Sequence, residues 1–595
     1  IGAQRSHQAA RRCAQQVPPL FQRTRELHLV VAHQRRVDHH HEGLARAQHL
    51  HDRARAAVQR EEMLERIRNT DEQWDMIIIG GGATGLGTVL EAASRGYKVV
   101  LLEQSDFAKG TSSRSTKLVH GGVRYLRQGN ISLVVEALRE RGRLRRNAPH
   151  LVRDLSFIVP HYDWWEGPFY GVGLKLYDML AGKMGLGPSK WISRDKTLRK
   201  IPTVQTYGLR GGVMYYDAQF DDSRLATNLA QTAAEQGGVV ANYTKVVGLI
   251  KDEKDGLTRG VIVEDMEGGE RFEIRGKVII NATGVFTDGV RRMDDPESAK
   301  IIMPSQGVHI VLDKSFLPGN TAIMVPETDD GRVLFAIPWH DRVVVGTTDT
   351  EVEEPELEPR PLADEIDFLL VHASRYLHKE VTESDVLSMF AGLRPLVKPE
   401  GGGASASASR DHTLLISRSG LLTICGGKWT TYRKMAEECV DQAALVGDLE
   451  ERASVTADLQ IHGWTQVAEG SDPFKDGAVY GSDWAHIEKL RETEPALAEL
   501  IHPDLPYSCA EVVWSVRFEM ARRLEDVLSR RTRALLLNAR ATLEAAPKVA
   551  DLMAKELKWD DNRKADELKA FEAIATRYIL PEKWKEELDW SLKEL

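Results

Sequence analysis

Residues 75–85 read Asp-Met-Ile-Ile-Ile-Gly-Gly-Gly-Ala-Thr-Gly, and the fold is decided there. Met76 to Ile79 is a short apolar run of the kind that forms a strand buried on both faces. Gly80, Gly82 and Gly85 complete a Gly-x-Gly-x-x-Gly pattern. The first glycine permits a tight turn, the second lets the backbone approach a pyrophosphate, and the third lets the next helix pack closely on the strand. That helix offers free amides and a partial positive charge to phosphates. Thr88 to Arg95 reads as helix, Gly96 as its end, and Lys98 to Leu102 as a second parallel strand. Glu103, eighteen residues past Gly85, stands where an acid can accept both hydroxyls of an adenosine ribose. Glycine turns alone are common; strand, turn, helix, strand and acid in this order predict a dinucleotide-binding unit.

The 595 residues are enough for two or more domains with a sizeable core. A content of 42% hydrophobic and 28% charged residues excludes disordered and fibrous classes. The net charge of −9 argues against a general nucleic-acid binder. Cys13, Cys425, Cys439 and Cys509 show no metal-ligand spacing, so no metal site is expected, and they suit a reducing compartment without a disulfide framework. No window holds the roughly 18 consecutive apolar residues of a membrane span. Residues 1–62 differ from the rest, with eleven Arg, eight His and no Lys. They are read as a disordered or non-native extension ahead of a plausible initiator, Met63.

Further along, Gly110 to Gly122 is polar and glycine-rich, suited to close approach of a large planar ligand. Leu133 to Arg146 reads as a charged helix. Between 155 and 192, Trp164, Trp165, Phe169, Tyr170, Tyr177 and Trp191 alternate with glycines and lysines, a composition that suits core packing or a membrane interface. Asp221 or Asp222 is placed to cap a helix. Gly238–Ile250, Thr258–Asp265 and Arg271–Ile280 read as strands, the last running into Asn281-Ala-Thr-Gly284, which brings the chain back to the nucleotide. From about 290 to 400 the pattern predicts an antiparallel sheet. Leu421 to Arg433 gives another buried strand, the turn Gly426-Gly427 and a helix start facing the ligand. Beyond 450 helices are expected, with a capping box at Ser508 and Glu511 and a helical period through Val513, Val516, Met520, Leu524 and Val527. The basic residues Arg517, Arg522 and Arg523 read as solvated or inter-domain.

Several of these stretches together resemble the FAD-dependent, quinone-linked glycerol-3-phosphate dehydrogenases. They are Gly80–Gly85, Ser113–Leu126, Asp221–Leu225, Asn281–Gly284, Gly307-Val-His309, Gly346-Thr-Thr-Asp349, Gly392-Leu-Arg-Pro395, Ser409-Arg-Asp411 and Gly426–Arg433. The resemblance spans about residues 72–440 and implies an α/β fold of the glutathione-reductase/D-amino-acid-oxidase type. It has a Rossmann-like FAD-binding domain split between 72–290 and 400–445, a substrate domain with an antiparallel sheet at 291–399 with parts of 150–225, and a C-terminal helical domain at 450–595. The implied reaction is oxidation of sn-glycerol 3-phosphate to dihydroxyacetone phosphate, with electrons passed from FAD to a membrane quinone. The protein would be cytoplasmic and bound peripherally to the inner face of the membrane; a homodimer stays open as its assembly.

By the same resemblance Arg124, Arg394 and Arg410 bind the phosphate, assisted by Tyr125, since a guanidinium fork suits a phosphate dianion. His309 is the candidate base, Arg394 also belongs to the catalytic group, and Lys428 steadies the reduced cofactor or orients the substrate oxygen. Expected cofactor contacts are Gly80, Gly82, Gly85, Glu103, Ser113, Ser115, Lys117, Gly284, Gly426, Gly427 and Thr430. Two alternatives stay open: an oxidase passing electrons to O2, and a non-catalytic flavin-binding protein. The presence of His309, Arg394 and Lys428 weighs against the second.

Overall fold

Met76, Ile77, Ile78 and Ile79 do form a strand, Trp74–Ile79, and all four are buried. Each such side chain contributes roughly 1.5–3 kcal/mol of transfer free energy, which is why an unbroken apolar run takes the centre of a sheet rather than an edge. The computed structural model describes residues 59–588, apart from 69–72, 123–125, 127–129, 329–330, 399–410, 469–471, 473 and 476. Residues 1–58 and the expected phosphate-site residues Arg124, Tyr125 and Arg410 lie outside the described residues.

The first sheet runs in the order Val239–Ala241, Val99–Leu102, Trp74–Ile79, Arg271–Asn281, Leu422–Gly426, His412–Ile416. Its first five strands are parallel and the last is antiparallel. The helix Ala83–Ser94 packs against both Asp222–Glu235 and Tyr432–Val446, covering the sheet. The expected long strand over 238–250 is two strands, Val239–Ala241 and Thr244–Lys251. Tyr243, at φ 52°, breaks it with a left-handed turn that period-two patterning does not reveal.

The second sheet has the order Thr350–Glu351, Ile302–Asp313, Arg342–Gly346, Leu334–Trp339, Thr321–Val325, Val152–His161, Gly211–Phe220, Leu118–Val119. Val386–Val397 pairs along Ile302–Asp313, and Lys190–Ser193 along Gly211–Phe220. This sheet is antiparallel except for one parallel join, between Thr321–Val325 and Val152–His161. That join is where segments far apart in sequence meet, so local patterning had no access to it.

Two boundaries differ from expectation. The helix Arg60–Arg68 starts ahead of residue 62, because Arg60 is buried and donates to the Asn242 and Tyr243 carbonyls (3.0 and 3.1 Å) and to Asp265 (2.6 Å). In the C-terminal region, the described residues between Asp448 and Gly477 form no helix or strand. The Ser508/Glu511 capping box opens the helix Cys509–Phe518, as read from sequence. The apolar period through Val527 is not one helix, however. Met520 takes φ 55°, and a π-helical turn follows at Asp526–Arg531. That turn aims Arg530 and Arg531 at Asp106, to which they donate at 2.5–2.9 Å with all three groups buried. Arg224 grips Glu519 with two bonds of 2.8 Å, and Lys109 meets Glu525 at 2.5 Å. This buried seam ties the C-terminal helices to the loop after Glu103 and to the helix Asp222–Glu235. Arg517 pairs with Glu556, Arg522 with Glu61 and Glu267, and Arg523 lies over Tyr243. Arg522 and Arg523 reach elements earlier in the chain, whereas Arg517 pairs within 450–595.

Candidate active site

Three cavities follow one another across the junction of the two sheets. The first, about 380 Å³, is lined by Gly80–Thr84, Glu103, Thr111, Ser112, Gly284 and Gly426–Trp429. The second, about 210 Å³, shares Thr111, Pro395 and Gly426–Trp429 with it and adds Ser115, Thr116, His309, Arg394 and Thr430. The third, about 160 Å³, shares Thr116, Leu118, His120, Phe335 and Arg394 with the second and adds Asp217, Arg332 and Asp349. Shared walls make them one cleft.

At the first cavity each glycine has a distinct physical reason. Gly80 takes φ 111°, and a Cβ there would lie 2.7 Å from the Ala282 carbonyl oxygen. A Cβ on Gly85 would run into the carbonyl of Gly80, so the helix sits as close to the turn as backbone allows. Gly82 caps the helix without any side-chain bond and faces open cavity, its nearest obstacle being Ser112 Oγ at 3.1 Å. This is a cradle that a side chain would fill, at the positive end of a twelve-residue helix. Glu103 accepts from the amides of Gly81 (2.6 Å) and Ser105 (2.8 Å) and still lines the cavity. Burial pushes its carboxyl up, and the two amides oppose that shift. A bare backbone cradle, a helix N-terminus and an acid at the end of the next strand fit the pyrophosphate and ribose of FAD.

At the second cavity the catalytic candidates are set by strand register. Ile302–Asp313 and Val386–Val397 pair with His309 opposite Phe390 and Ser305 opposite Arg394. The His309 ring stacks on Phe390 at 4.8 Å, and its Nε2 lies 2.9 Å from Thr116 Oγ1. Its Nδ1 is buried without a hydrogen-bond partner. Burial first, then the Lys117 and Arg394 cations, pull the imidazole far below its ordinary pKa, so it is neutral at physiological pH. Arg394 donates to Asp349 (3.2 Å), Thr347 Oγ1 (3.1 Å) and the Thr348 carbonyl (3.0 Å). Its orientation is therefore fixed in advance while it lines two cavities. The motif glycines make room: a Cβ on Gly307 would strike the Arg394 guanidinium, and one on Gly346 the His309 ring.

Not every expected residue faces the cleft. Lys117 and Ser113 line none of the three cavities. Lys117 is fully buried, donates to Asp222 (2.7 Å) and to the Ser113 carbonyl (2.9 Å), and burial brings its ammonium down to about 8. Expected as a cofactor contact, it is instead an internal cation behind His309, because Asp222, brought in by a distant helix, draws it inward. Ser113 serves through its carbonyl, which also accepts from Arg533 at 2.8 Å. Ser115 lines the second cavity while donating to Asp222 (2.7 Å). Gly85 acts by packing, and Gly284, Gly426, Gly427 and Thr430 line the cleft as expected. Thr116, Asp217, Arg332 and Asp349 were missed as site residues. Thr116 and Asp349 stand inside motifs already singled out; Asp217 and Arg332 carried no sequence signal.

A family description of FAD-dependent oxidoreductases matches residues 75–433, and one of the C-terminal domain of alpha-glycerophosphate oxidase matches residues 477–564. The mitochondrial glycerol-3-phosphate dehydrogenase of Homo sapiens is 41% identical over 539 residues, covering 86% of this chain and 74% of its own. That of Arabidopsis thaliana is 40% identical over 542 residues, covering 84% and 86%. Among solved structures, a glycerol-3-phosphate dehydrogenase from Bacillus halodurans complexed with FAD aligns with a TM-score of 0.70 at 29% identity, covering 87% of this chain and 97% of that one.

Proposed function

The chain belongs to the FAD-dependent glycerol-3-phosphate dehydrogenases, and from that premise we propose which of its residues bind, orient and deprotonate the substrate. It oxidises sn-glycerol 3-phosphate to dihydroxyacetone phosphate and passes the electrons to a respiratory quinone. FAD, when bound, supplies the hydride acceptor. Gly80, Gly82, Glu103 and Gly284 would hold its nucleotide end, and Gly426, Gly427, Lys428 and Thr430 the end that meets the second cavity.

The observation that carries the reading is the position of Arg394 and His309 along one wall of that second cavity, with Arg394 continuing into the third. Arg394 presents a prearranged guanidinium to the phosphate, and Arg124 and Arg410 complete the anion site by resemblance. His309 is neutral and so has a lone pair for the C2 hydroxyl proton; Thr116 fixes the plane of its ring. Lys428, at the wall common to two cavities, offsets negative charge developing on the cofactor side. In this reading the split segments 72–290 and 400–445 hold FAD, 291–399 with parts of 150–225 hold substrate, and 450–595 brace the loop after Glu103.

A quinone acceptor calls for contact with lipid, although no helix among the described residues is long and apolar enough to cross a membrane. The helix Glu166–Ala181 supplies a surface for it. Trp165 at its cap, Phe169, Val172, Leu176 and Met179 form an exposed apolar stripe, with Trp164 (77% exposed) and Trp191 beside it. The neighbouring Lys190, Arg194, Lys196, Arg199 and Lys200 are exposed as well, so apolar and basic groups together match an anionic bilayer.

Anaerobic addition of glycerol 3-phosphate to the purified holoprotein should bleach its flavin absorbance, with re-oxidation faster by a soluble quinone than by air. No bleaching would overturn the substrate; fast re-oxidation by air with peroxide would make the protein an oxidase.

A further inference from the structure

Arg533 belongs to the C-terminal helical region, is buried, and lines none of the three cavities. Its Nη2 donates to the Ser113 carbonyl at 2.8 Å and to Asp222 Oδ1 at 3.0 Å, while its Nη1 donates to the Ser529 carbonyl at 3.0 Å. The other oxygen of Asp222, Oδ2, accepts from the Ser115 amide (3.1 Å), the Ser115 hydroxyl (2.7 Å) and Lys117 Nζ (2.7 Å). Lys117 also donates to the Ser113 carbonyl at 2.9 Å, so it shares both of these acceptors with Arg533, and the two cations lie against the same Trp339 ring. Thr116 stands between Ser115 and Lys117, with its Oγ1 2.9 Å from His309 Nε2. Lys117 takes φ 63° and Arg533 φ 65°, a left-handed backbone that residues other than glycine rarely adopt. Such a conformation persists where the surroundings over-determine it, and here Asp222 and the Ser113 carbonyl do so.

We propose that Arg533 is a positioning residue: by fixing Asp222 and the Ser113 carbonyl it holds the segment Ser113–Lys117 so that Thr116 meets His309. The inference rests on His309 as the base proposed above. Without the guanidinium, Asp222 Oδ1 retains the Ser223 amide (2.8 Å) but no cation, and the carboxylate is free to turn away from Ser115. Arg533 is one of several ties of its region, since Arg530 and Arg531 bind Asp106 and Arg224 binds Glu519, so its loss leaves the C-terminal helices docked. Arg394 is oriented by a separate set of bonds, to Thr347, Thr348 and Asp349. The effect therefore falls on the limiting rate of flavin reduction and not on binding of glycerol 3-phosphate.

The test is anaerobic stopped-flow reduction of the full-length holoenzyme by glycerol 3-phosphate, which separates the limiting rate from the apparent Kd. Arg533→Met should keep FAD and the parent Kd and lower the limiting rate by about tenfold to a hundredfold, the cost of a misplaced catalytic group. Thr116→Val, which removes the last link, should slow reduction by about the same factor. The double variant should be no slower than the slower single one, because both changes break one path. Met553→Ala, a buried change elsewhere in the C-terminal region, should lower Tm and keep the limiting rate. Arg533→Lys keeps the charge and should recover part of the rate; it carries the same cycle with Thr116→Val if Arg533→Met does not fold. A parent rate in the Arg533 variant or in Thr116→Val, effects that multiply in the double variant, or an equal slowing by Met553→Ala overturns the proposal. A His309→Ala protein that reduces its flavin at the parent rate overturns the base assignment as well, whereas a slow His309→Ala beside a parent-like Arg533 variant overturns the proposal alone.

Discussion

At the nucleotide end of the cleft, the consecutive residues Asp75 to Gly85 supply strand, turn and helix start. At the reaction end, Thr116, His309, Arg394 and Lys428 come from four separate places in the chain and meet only where the two sheets abut. The first site is made of backbone: bare glycines, amides and one carboxylate. The second is made of side chains whose orientation is borrowed from neighbours, His309 from Phe390 and Thr116, Arg394 from Thr347, Thr348 and Asp349. A backbone site fails all at once when its shape is filled, whereas a side-chain site fails by increments, one contact at a time.

The largest effect should come from filling the cradle. Gly82→Val places a branched side chain where the cavity needs open space, so the protein should purify without flavin absorbance although it folds. A yellow variant with a full complement of FAD would contradict the assignment of this turn. Next, His309→Ala should retain FAD and slow anaerobic flavin reduction by about 10²–10⁴-fold, the usual range for a general base. A rate equal to that of the parent, read by stopped-flow absorbance, would exclude it. Arg394→Ala should weaken substrate binding by about tenfold to a hundredfold, as expected of a charge-assisted contact of roughly 1.5–3 kcal/mol. Flavin content should be normal, and an unchanged KM would remove Arg394 from the phosphate site.

The smallest effect is an expected absence. The His309 imidazole is held far below its ordinary pKa by burial and two cations, so its protonated form is scarce across neutral pH. Limiting flavin reduction at saturating substrate should stay level between about pH 6.5 and pH 8, with loss only on the acid side. An acid limb near the ordinary histidine value that disappears in His309→Ala would show that the cleft does not depress this group. This comparison sharpens the difference between the two ends, because among the described residues no histidine lines the nucleotide cradle.

How far the reaction end could be read in advance depended on whether a residue's role was set by its own neighbours in sequence. Gly307 and Gly346 belong to recognisable motifs, yet their reason, clearance for the Arg394 guanidinium and the His309 ring, is visible only across the sheet. Lys117 sat in the same motif as Ser115 and was expected to face FAD, but Asp222 draws it into the interior at 2.7 Å. The π-helical turn at Asp526–Arg531 was likewise hidden, since an apolar helical period ran straight through it. What overrode the period was the buried carboxylate of Asp106, more than four hundred residues earlier, which needs both Arg530 and Arg531.

The amino-acid sequence by itself determined the Gly80–Gly85 turn, the buried parallel strands around it, Glu103, the Ser508 capping box, and the identity of His309, Arg394 and Lys428 as candidates. These rest on contiguous residues, where spacing and backbone freedom act over a few ångströms. Only the tertiary structure decided which candidates face the cleft, that His309 is held neutral, and that Asp217 and Arg332 line the third cavity. Those properties depend on burial and on charges brought together across hundreds of residues, and neither quantity exists until the two sheets have met.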